Sequence, residues 1–224
     1  MSAEAASDHD HPLVYPDDSL YSRITAGKLG MWLFLLSDGF SFGGLLLGYG
    51  ILRGGSKYWG CTTEELMKEF RCLEEPSLGI NFTAFLTFLL ICSSVTMVLS
   101  HAAMVEGDRQ GAMKWLSLTI LGGLGFLCGQ CWEYWGLFGI FGPHHGLLHE
   151  GLNFGKSHYA TTFYCITGFH GMHVTTGVIY LTSVLIGTKM GKTDANTLEV
   201  AGLFWHFVDL VWILVFTFIY LIPN

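Results

Sequence analysis

Five long apolar stretches, separated by short polar segments, dominate the sequence. They cover residues 29–52, 80–104, 115–138, 159–186 and 198–222. At 1.5 Å per residue, a helix of each length crosses a hydrocarbon layer of about 30 Å. Only a helix satisfies every backbone group of such a stretch in the absence of water. The pattern predicts an all-α, polytopic membrane protein, with a bundle of five transmembrane helices in residues 27–224.

The composition agrees with a lipid environment. Apolar residues make up 51% of the 224 residues and charged residues 13%, about half of the ~25% typical of soluble proteins. Too few charged groups are present to cover a water-facing surface. The net charge of −7 excludes a basic nucleic-acid-binding protein, so no nucleic acid is expected as a partner.

The polar segments allow further predictions. Residues 1–26 form a polar, acidic tail without the apolar region of a signal peptide. In the long acidic loop 53–77, Thr62 and Glu65 have capping-box spacing. This spacing predicts a short amphipathic helix in the first extracytoplasmic loop, with a mobile loop as the alternative. Its apolar face would carry Leu66, Phe70 and Leu73.

An odd number of spans places the termini on opposite sides. Lys and Arg are almost equally divided, six on the N-terminal side and five on the other. The short loops after the second and fourth spans are basic at their ends, which favours a cytoplasmic N-terminus and an extracytoplasmic C-terminus. Within the spans, glycines four residues apart predict close helix packing. These pairs are Gly39 and Gly43, Gly44 and Gly48, and Gly125 and Gly129.

Polar side chains inside the spans are the candidate functional residues, because ionisable groups are costly at membrane depth. Pairs that are three residues apart share one helix face. Asp38 lies near the midplane, where an ionised carboxylate needs a partner. The candidates are Asp38, His101, Gln130, Glu133, His170, His173, Trp205, His206 and Asp209.

Three interpretations of these residues compete. His173 and His206 could hold one haem, although no Glu-x-x-His pair supports a metal centre. A row of acids and histidines could carry protons, although the spans show no proline breaks and no inverted repeat. The third interpretation is hydrogen bonding that fixes the bundle, such as a histidine donating to Asp209 or a neutral Asp38 bonded to a neighbouring hydroxyl.

The six cysteines lack zinc-module spacing. Cys61 and Cys72 lie in the loop assigned to the oxidising side and are candidates for a disulfide. An unbroken helix between them would separate their Cα atoms by about 15 Å, whereas a disulfide requires less than about 7 Å. Both outcomes stay open.

Four motifs together resemble subunit III of haem–copper terminal oxidases. Residues 203–212, LFWHFVDLVW, are similar to the family's WHFVDxVW signature, and residues 168–174, GFHGMHV, to its GFHGxHV segment. Residues 130–134 resemble its Q-x-x-E-Y segment, and residues 31–38, MWLFLLSD, the start of its third helix. The motifs occur in the family's order and cover nearly all of residues 28–224.

Two departures accompany this resemblance. The mitochondrial type has seven helices, and its first two have no counterpart here. The chain therefore resembles the five-helix bacterial form, which includes subunits of quinol oxidases. Asp38 also stands where the mitochondrial type carries a glutamate that reacts with carbodiimides, so the resemblance does not carry the role of that glutamate over to Asp38.

The resemblance implies an accessory, cofactor-free and non-catalytic subunit in the bacterial cytoplasmic membrane. Haems and copper would belong to subunit I and often to subunit II, and other subunits would bind the electron donor. The chain would pack on subunit I, mainly through its fourth and fifth helices, and hold phospholipid beside its first. It would also support proton uptake and turnover stability, with subunit II and small subunits or a supercomplex as further partners.

Overall fold

A computed structural model describes residues 25–55, 59, 80–135, 154–155 and 157–222. These residues contain five long helices and no strand. The helices are α1 (Ala26–Gly55), α2 (Ile80–Val105), α3 (Arg109–Trp135), α4 (His158–Lys189) and α5 (Ala195–Val215), and α5 continues as a π-helix (Phe216–Leu221). Each is long and apolar enough to cross a membrane when α5 and the π-helix are taken together. The predicted all-α membrane fold is confirmed.

The helix bounds differ from the apolar stretches most clearly at α3. This helix begins at Arg109 rather than at Trp115, because Arg109 and Lys114 lower the local hydropathy without interrupting the helix. The π-helix was not predicted. The polar tail up to residue 24, the predicted helix of loop 53–77 and residues 136–138 lie outside the described residues, as do Cys61 and Cys72.

α5 lies at the centre of the bundle and packs against α1, α2 and α4, while α3 packs between α2 and α4. The interior is aromatic. Trp205 and Trp212 of α5 are fully buried, with Phe126 of α3 and Phe163 of α4. At one end, Lys28 of α1 forms a 2.7 Å ion pair with Glu199 of α5, so these two helices start at the same side of the bundle.

The predicted glycine packing is found in α3, whereas for most of the α1 pairs the described residues supply no neighbouring helix. A Cβ atom on Gly129 would lie 2.5 Å from Leu86 Cδ2, and one on Gly125 would lie 3.0 Å from Leu89 Cδ2. These glycines let α2 approach α3 closely. A Cβ atom on Gly43, Gly44 or Gly48 would have no neighbour within 4 Å among the described residues, because α1 lies at the edge of the bundle.

The turn before α5 is capped by Asp194. Its carboxylate accepts hydrogen bonds from the Thr197 hydroxyl at 2.6 Å and from the Thr197 backbone N–H at 3.1 Å. These bonds stabilise the ionised form and lower the pKa of Asp194 below its usual value. The negative charge also lies at the positive end of the helix dipole, which fixes the start of α5.

Candidate functional site

Six of the nine candidate residues fall into three separate polar clusters, and His101, His170 and Trp205 lie outside them. In the first, α1 meets α4: Asp38 Oδ1 lies 3.2 Å from His173 Nε2. His173 Nδ1 lies 2.8 Å from the backbone oxygen of Phe169, one turn earlier in α4. The other carboxylate oxygen, Asp38 Oδ2, is buried without a hydrogen-bond partner among the described residues. The partner of Asp38 is therefore a histidine of a neighbouring helix, whereas the hydrogen-bonding interpretation named a hydroxyl as its example.

The proton count of this pair follows from the geometry. A carbonyl oxygen can only accept, so His173 Nδ1 must carry a proton and donate it to Phe169. His173 Nε2 then either donates to an ionised Asp38 or accepts from a neutral one. In both forms one proton lies between the two side chains and the pair has no net charge. This arrangement lets a carboxyl group remain buried within the apolar helix α1.

His170 does not join its neighbour, although the two histidines are one helical turn apart. It is fully buried among aromatic rings, 4.8 Å from the Trp212 ring centroid and 5.7 Å from that of Phe126. Neither ring nitrogen has a hydrogen-bond partner among the described residues. His170 thus packs in the core while His173 pairs with α1.

The second cluster joins α2 to α5. The Ser94 hydroxyl donates to Asp209 Oδ2 at 2.7 Å, and His206 Nδ1 lies 3.1 Å from Ser94 Oγ. Because Ser94 gives its only proton to Asp209, its oxygen accepts from His206 Nδ1–H. Ser94 lies between His206 and Asp209, whereas the hydrogen-bonding interpretation named a direct bond from a histidine to Asp209 as an example. Because His206 donates to Ser94 and Ser94 donates to Asp209, the histidine cannot accept the serine proton. The three residues therefore do not form a nucleophilic triad.

The third cluster surrounds Glu133, where the start of α2 meets the end of α3 and the π-helix that follows α5. The Thr83 hydroxyl donates to Oε1 at 3.1 Å. Gln130 Nε2 and the Tyr220 hydroxyl donate to Oε2 at 3.2 and 3.4 Å. Tyr220 lies in the π-helix. Three donors from three helices can therefore stabilise a buried carboxylate.

The remaining two candidates have simpler surroundings. Trp205 is fully buried, and its Nε1 donates to Ser93 Oγ at 3.0 Å. His101 is half-buried in the last turns of α2. Trp212, outside the predicted set, makes the equivalent bond to Thr87 Oγ1 at 2.9 Å.

The donor groups do not fit a metal or haem in this part of the chain. The described residues hold no group of three or more His, Cys, Asp or Glu side chains placed to bind a metal ion. Both ring nitrogens of His173 are engaged, and His206 uses one of its own to donate to Ser94. His173 therefore has no nitrogen left with which to ligate iron opposite His206.

Comparison with known proteins identifies the setting of these clusters. The family model for cytochrome c oxidase subunit III matches residues 21–223. The chain belongs to this family. This family comprises subunit III of the haem–copper oxidases, so the predicted resemblance is confirmed.

Individual relatives cover most of the chain. The cytochrome bo(3) ubiquinol oxidase subunit 3 of Pseudomonas putida is 31% identical over 87% of this chain and 84% of its own length. The cytochrome c oxidase subunit 3 of Alkalihalophilus pseudofirmus is 32% identical over 86% and 85%. That of Thermostichus vulcanus is 31% identical over 96% and 92%.

The family and the five apolar helices define the general role of the chain. It is a multi-pass protein of a bacterial membrane and an accessory subunit of a haem–copper oxidase, in a complex with other subunits. Its polar clusters therefore belong to a protein that works within an assembly.

Several residues of these clusters were not predicted from the sequence, above all Ser94, Thr83 and Tyr220. A signal for the first two is present in α2, where hydroxyl-bearing residues recur along the side that faces α3 and α5. They are Thr83, Thr87, Ser93, Ser94, Thr96 and Ser100. Such a row of hydroxyls indicates a helix that hydrogen-bonds to its neighbours.

Proposed function

We propose that this chain is the cofactor-free subunit III that packs on catalytic subunit I, binds phospholipid, and supports proton uptake and turnover stability. One observation carries the proposal. In the described part of the spans, the acidic side chains bond to other helices, and no group of three or more His, Cys, Asp or Glu side chains converges on a shared centre. Asp38 bonds to α4, Asp209 to α2, and Glu133 to α2 and to the π-helix.

The partners and the orientation follow from the same proposal. Subunit I contacts α4 and α5, subunit II and small subunits or a supercomplex complete the assembly, and the N-terminus lies in the cytoplasm. Relatives at similar identity are named as ubiquinol oxidase and as cytochrome c oxidase subunits. Since the same kind of chain serves both enzymes, we assign binding of the electron donor to other subunits.

Removal of this chain from the purified oxidase tests the accessory role. We expect the depleted complex to keep its haem spectrum and its initial rate of oxygen consumption, because the redox centres lie elsewhere. Its activity should then decay sooner during continuous turnover than that of the intact complex. Re-addition of the chain is the control and should restore the longer active lifetime. Immediate and complete loss of oxygen consumption on removal would contradict the accessory role.

A groove between α1 and the π-helix supports phospholipid binding. It encloses about 490 Å³, within the range of about 300–1,000 Å³ that is common for ligand pockets. Its walls are apolar apart from Arg53 and Tyr49 toward one end of α1. The lining residues are Gly43, Leu46, Leu47, Tyr49, Gly50, Ile51, Arg53, Phe218 and Ile222. An acyl chain fits the apolar wall, and a guanidinium group near the helix end suits a phosphate headgroup.

We predict that Gly50→Leu displaces this lipid. Gly50 lines the groove, and a Cβ atom there has no neighbour within 4 Å among the described residues, so a side chain can start from this position and occupy groove volume. Native mass spectrometry of the complex should show about one phospholipid fewer per chain, as expected for one filled site. Gly44→Leu is the matched control: Gly44 is equally open but does not line the groove. Equal lipid content in the two variants would argue against the site.

A proton-conducting role is the second candidate function. The observation that favours it is the single proton shared by Asp38 and His173 at mid-membrane depth, beside the buried Asp38 Oδ2. A group that exchanges a proton between two side chains can take part in a relay. Substitution of Asp38 separates this role from a structural one.

A further inference from the structure

The Glu133 cluster contains a buried amide group with one unsatisfied atom. Gln130 is 5% exposed, and its Nε2 atom donates to Glu133 Oε2 at 3.2 Å. Its Oε1 atom is buried and has no hydrogen-bond partner among the described residues. The two amide atoms are bonded to one carbon and lie about 2.2 Å apart, so Oε1 also lies inside the cluster.

Reversing the amide group does not remove the unsatisfied atom. In the reversed orientation, Oε1 would face Glu133 Oε2 and could accept a proton only from a neutral carboxyl group. Nε2 would then take the place of Oε1 and would lack an acceptor. In either orientation, one amide atom of Gln130 is buried without a partner in the described part of the chain, which is costly for a polar group.

Two further observations point to an additional hydrogen-bonding group at this place. The Tyr164 hydroxyl of α4 is also buried, with no hydrogen-bond partner within the described ranges. The Tyr164 ring centroid lies 5.2 Å from that of Tyr134, the residue that follows Glu133. The three hydrogen bonds to Glu133 are 3.1, 3.2 and 3.4 Å long, whereas bonds to a charged group are usually about 2.5–2.9 Å. The donors therefore do not close tightly around the carboxyl group.

The chemistry of the cluster selects the ligand. Gln130 Oε1 requires a donor, the Tyr164 hydroxyl can donate or accept, and the Glu133 carboxyl group disfavours an anion. Water both donates and accepts, and a buried water is typically held by two to four polar partners. Water also has access to the cluster, because Glu133 lies two residues before the end of α3, close to the membrane surface.

His170 shows that an unsatisfied atom alone is not sufficient for such a site. Both of its ring nitrogens are buried without partners among the described residues. The rings of Phe126 and Trp212 lie against it, however, with centroid distances of 5.7 and 4.8 Å. A water molecule needs several polar partners, which aromatic rings do not supply. His170 therefore serves as the internal control.

We propose that the Glu133 cluster binds one ordered water molecule, hydrogen-bonded to Gln130 Oε1, to the Glu133 carboxyl group and to the Tyr164 hydroxyl. This water links α3 to α4 and completes the hydrogen bonding of the amide group. It also places a proton donor and acceptor next to Glu133, at a site separate from the Asp38–His173 pair.

A high-resolution density map of the intact oxidase tests the site directly. We expect a solvent peak about 2.7–3.2 Å from Gln130 Oε1 and no such peak beside the ring nitrogens of His170. The lack of a peak at Gln130, or a protein side chain in its place, would overturn the proposal. A peak surrounded by oxygen atoms at about 2.3–2.6 Å would identify a bound cation instead and would also overturn it.

Radiolytic footprinting of the intact oxidase gives an independent test in solution. Hydroxyl radicals that X-rays generate from a bound water oxidise the side chains beside it. Tyr220 should therefore be labelled although it is buried, whereas the buried Trp212 beside His170 should not. Labelling of Tyr220 that does not exceed that of Trp212 in the wild-type chain would contradict the proposal.

A matched pair of glutamine variants assigns the labelling to the amide group. Gln130→Leu removes both amide atoms and should reduce the labelling of Tyr220 several-fold. Gln110→Leu, at the exposed start of α3, is the control and should leave the labelling unchanged. Equal labelling of Tyr220 in the two variants would show that Gln130 does not hold the water.

Discussion

Trp205→Ala should cause one of the largest losses of stability in the chain. Trp205 is 1% exposed, its Nε1 donates to Ser93 Oγ, and its ring fills the space left by Gly123 and Gly177. Removal of a buried aromatic side chain costs about 3–5 kcal/mol. For a chain of this size that loss corresponds to about 6–20 °C in the midpoint of thermal unfolding. The midpoint is measured on the isolated chain as the temperature at which half of its helical circular dichroism is lost.

Trp32→Ala provides the control for the tryptophan substitution. Trp32 lies on α1 and is 57% exposed. Its loss should shift the midpoint by no more than about 2 °C, in line with exposed substitutions of about ±0.5 kcal/mol. Equal shifts in the two variants would show that Trp205 does not fill the core as described.

Substitution of Asp38 should separate the structural role from the proton-conducting role. In Asp38→Asn, the side-chain amide donates to a neutral His173 Nε2, so the bond between α1 and α4 is retained. We expect this variant to assemble and to keep most of its rate of oxygen consumption across a range of pH. In Asp38→Leu, Nε2 is left buried without a partner, at a cost of about 1–3 kcal/mol. We expect that variant to lose much of the chain from the purified complex.

Ser41→Ala is the control on the same helix, because the Ser41 hydroxyl donates to the Ser37 backbone oxygen of α1 itself. It should change neither assembly nor rate. A relay through Asp38 predicts a different pattern, with a marked loss of rate in Asp38→Asn while the complex stays intact. That result, at any pH in the series, would exclude the structural interpretation.

The spans could be predicted because the physical cause is local. A backbone in lipid must be helical, so a long apolar run is sufficient to assign a helix. The residues at which helices begin and end were harder to predict from the sequence. Arg109 belongs to α3 although it is charged, since a helix can continue beyond the apolar layer. The π-helix at Phe216–Leu221 left no recognisable sign in the sequence.

The polar residues were found by the same reasoning, but their partners were not. Spacing shows which residues share a helix face, whereas a partner depends on the rotation and separation of two helices. His170 and His173 are one turn apart, yet one packs against Trp212 and the other bonds to Asp38. Nothing in the spacing of the sequence distinguishes Ser94 from the other small residues of α2, although its hydroxyl links His206 to Asp209.

Glycine spacing also fails to predict which helices pack against each other. Gly129 and Gly44 belong to similar pairs, but only Gly129 lies against a neighbouring helix within the described residues. A small residue permits close approach and does not by itself bring a helix there. The position of α1 at the edge of the bundle decides the outcome.

The partition of haem and copper between the separated subunits tests the central claim most directly. The purified oxidase is dissociated, this chain is isolated, and both fractions are measured by visible absorption and by metal analysis. An accessory, cofactor-free subunit predicts that the haem absorption and the copper remain with the other subunits. A haem band or a stoichiometric metal in the isolated chain would contradict the claim.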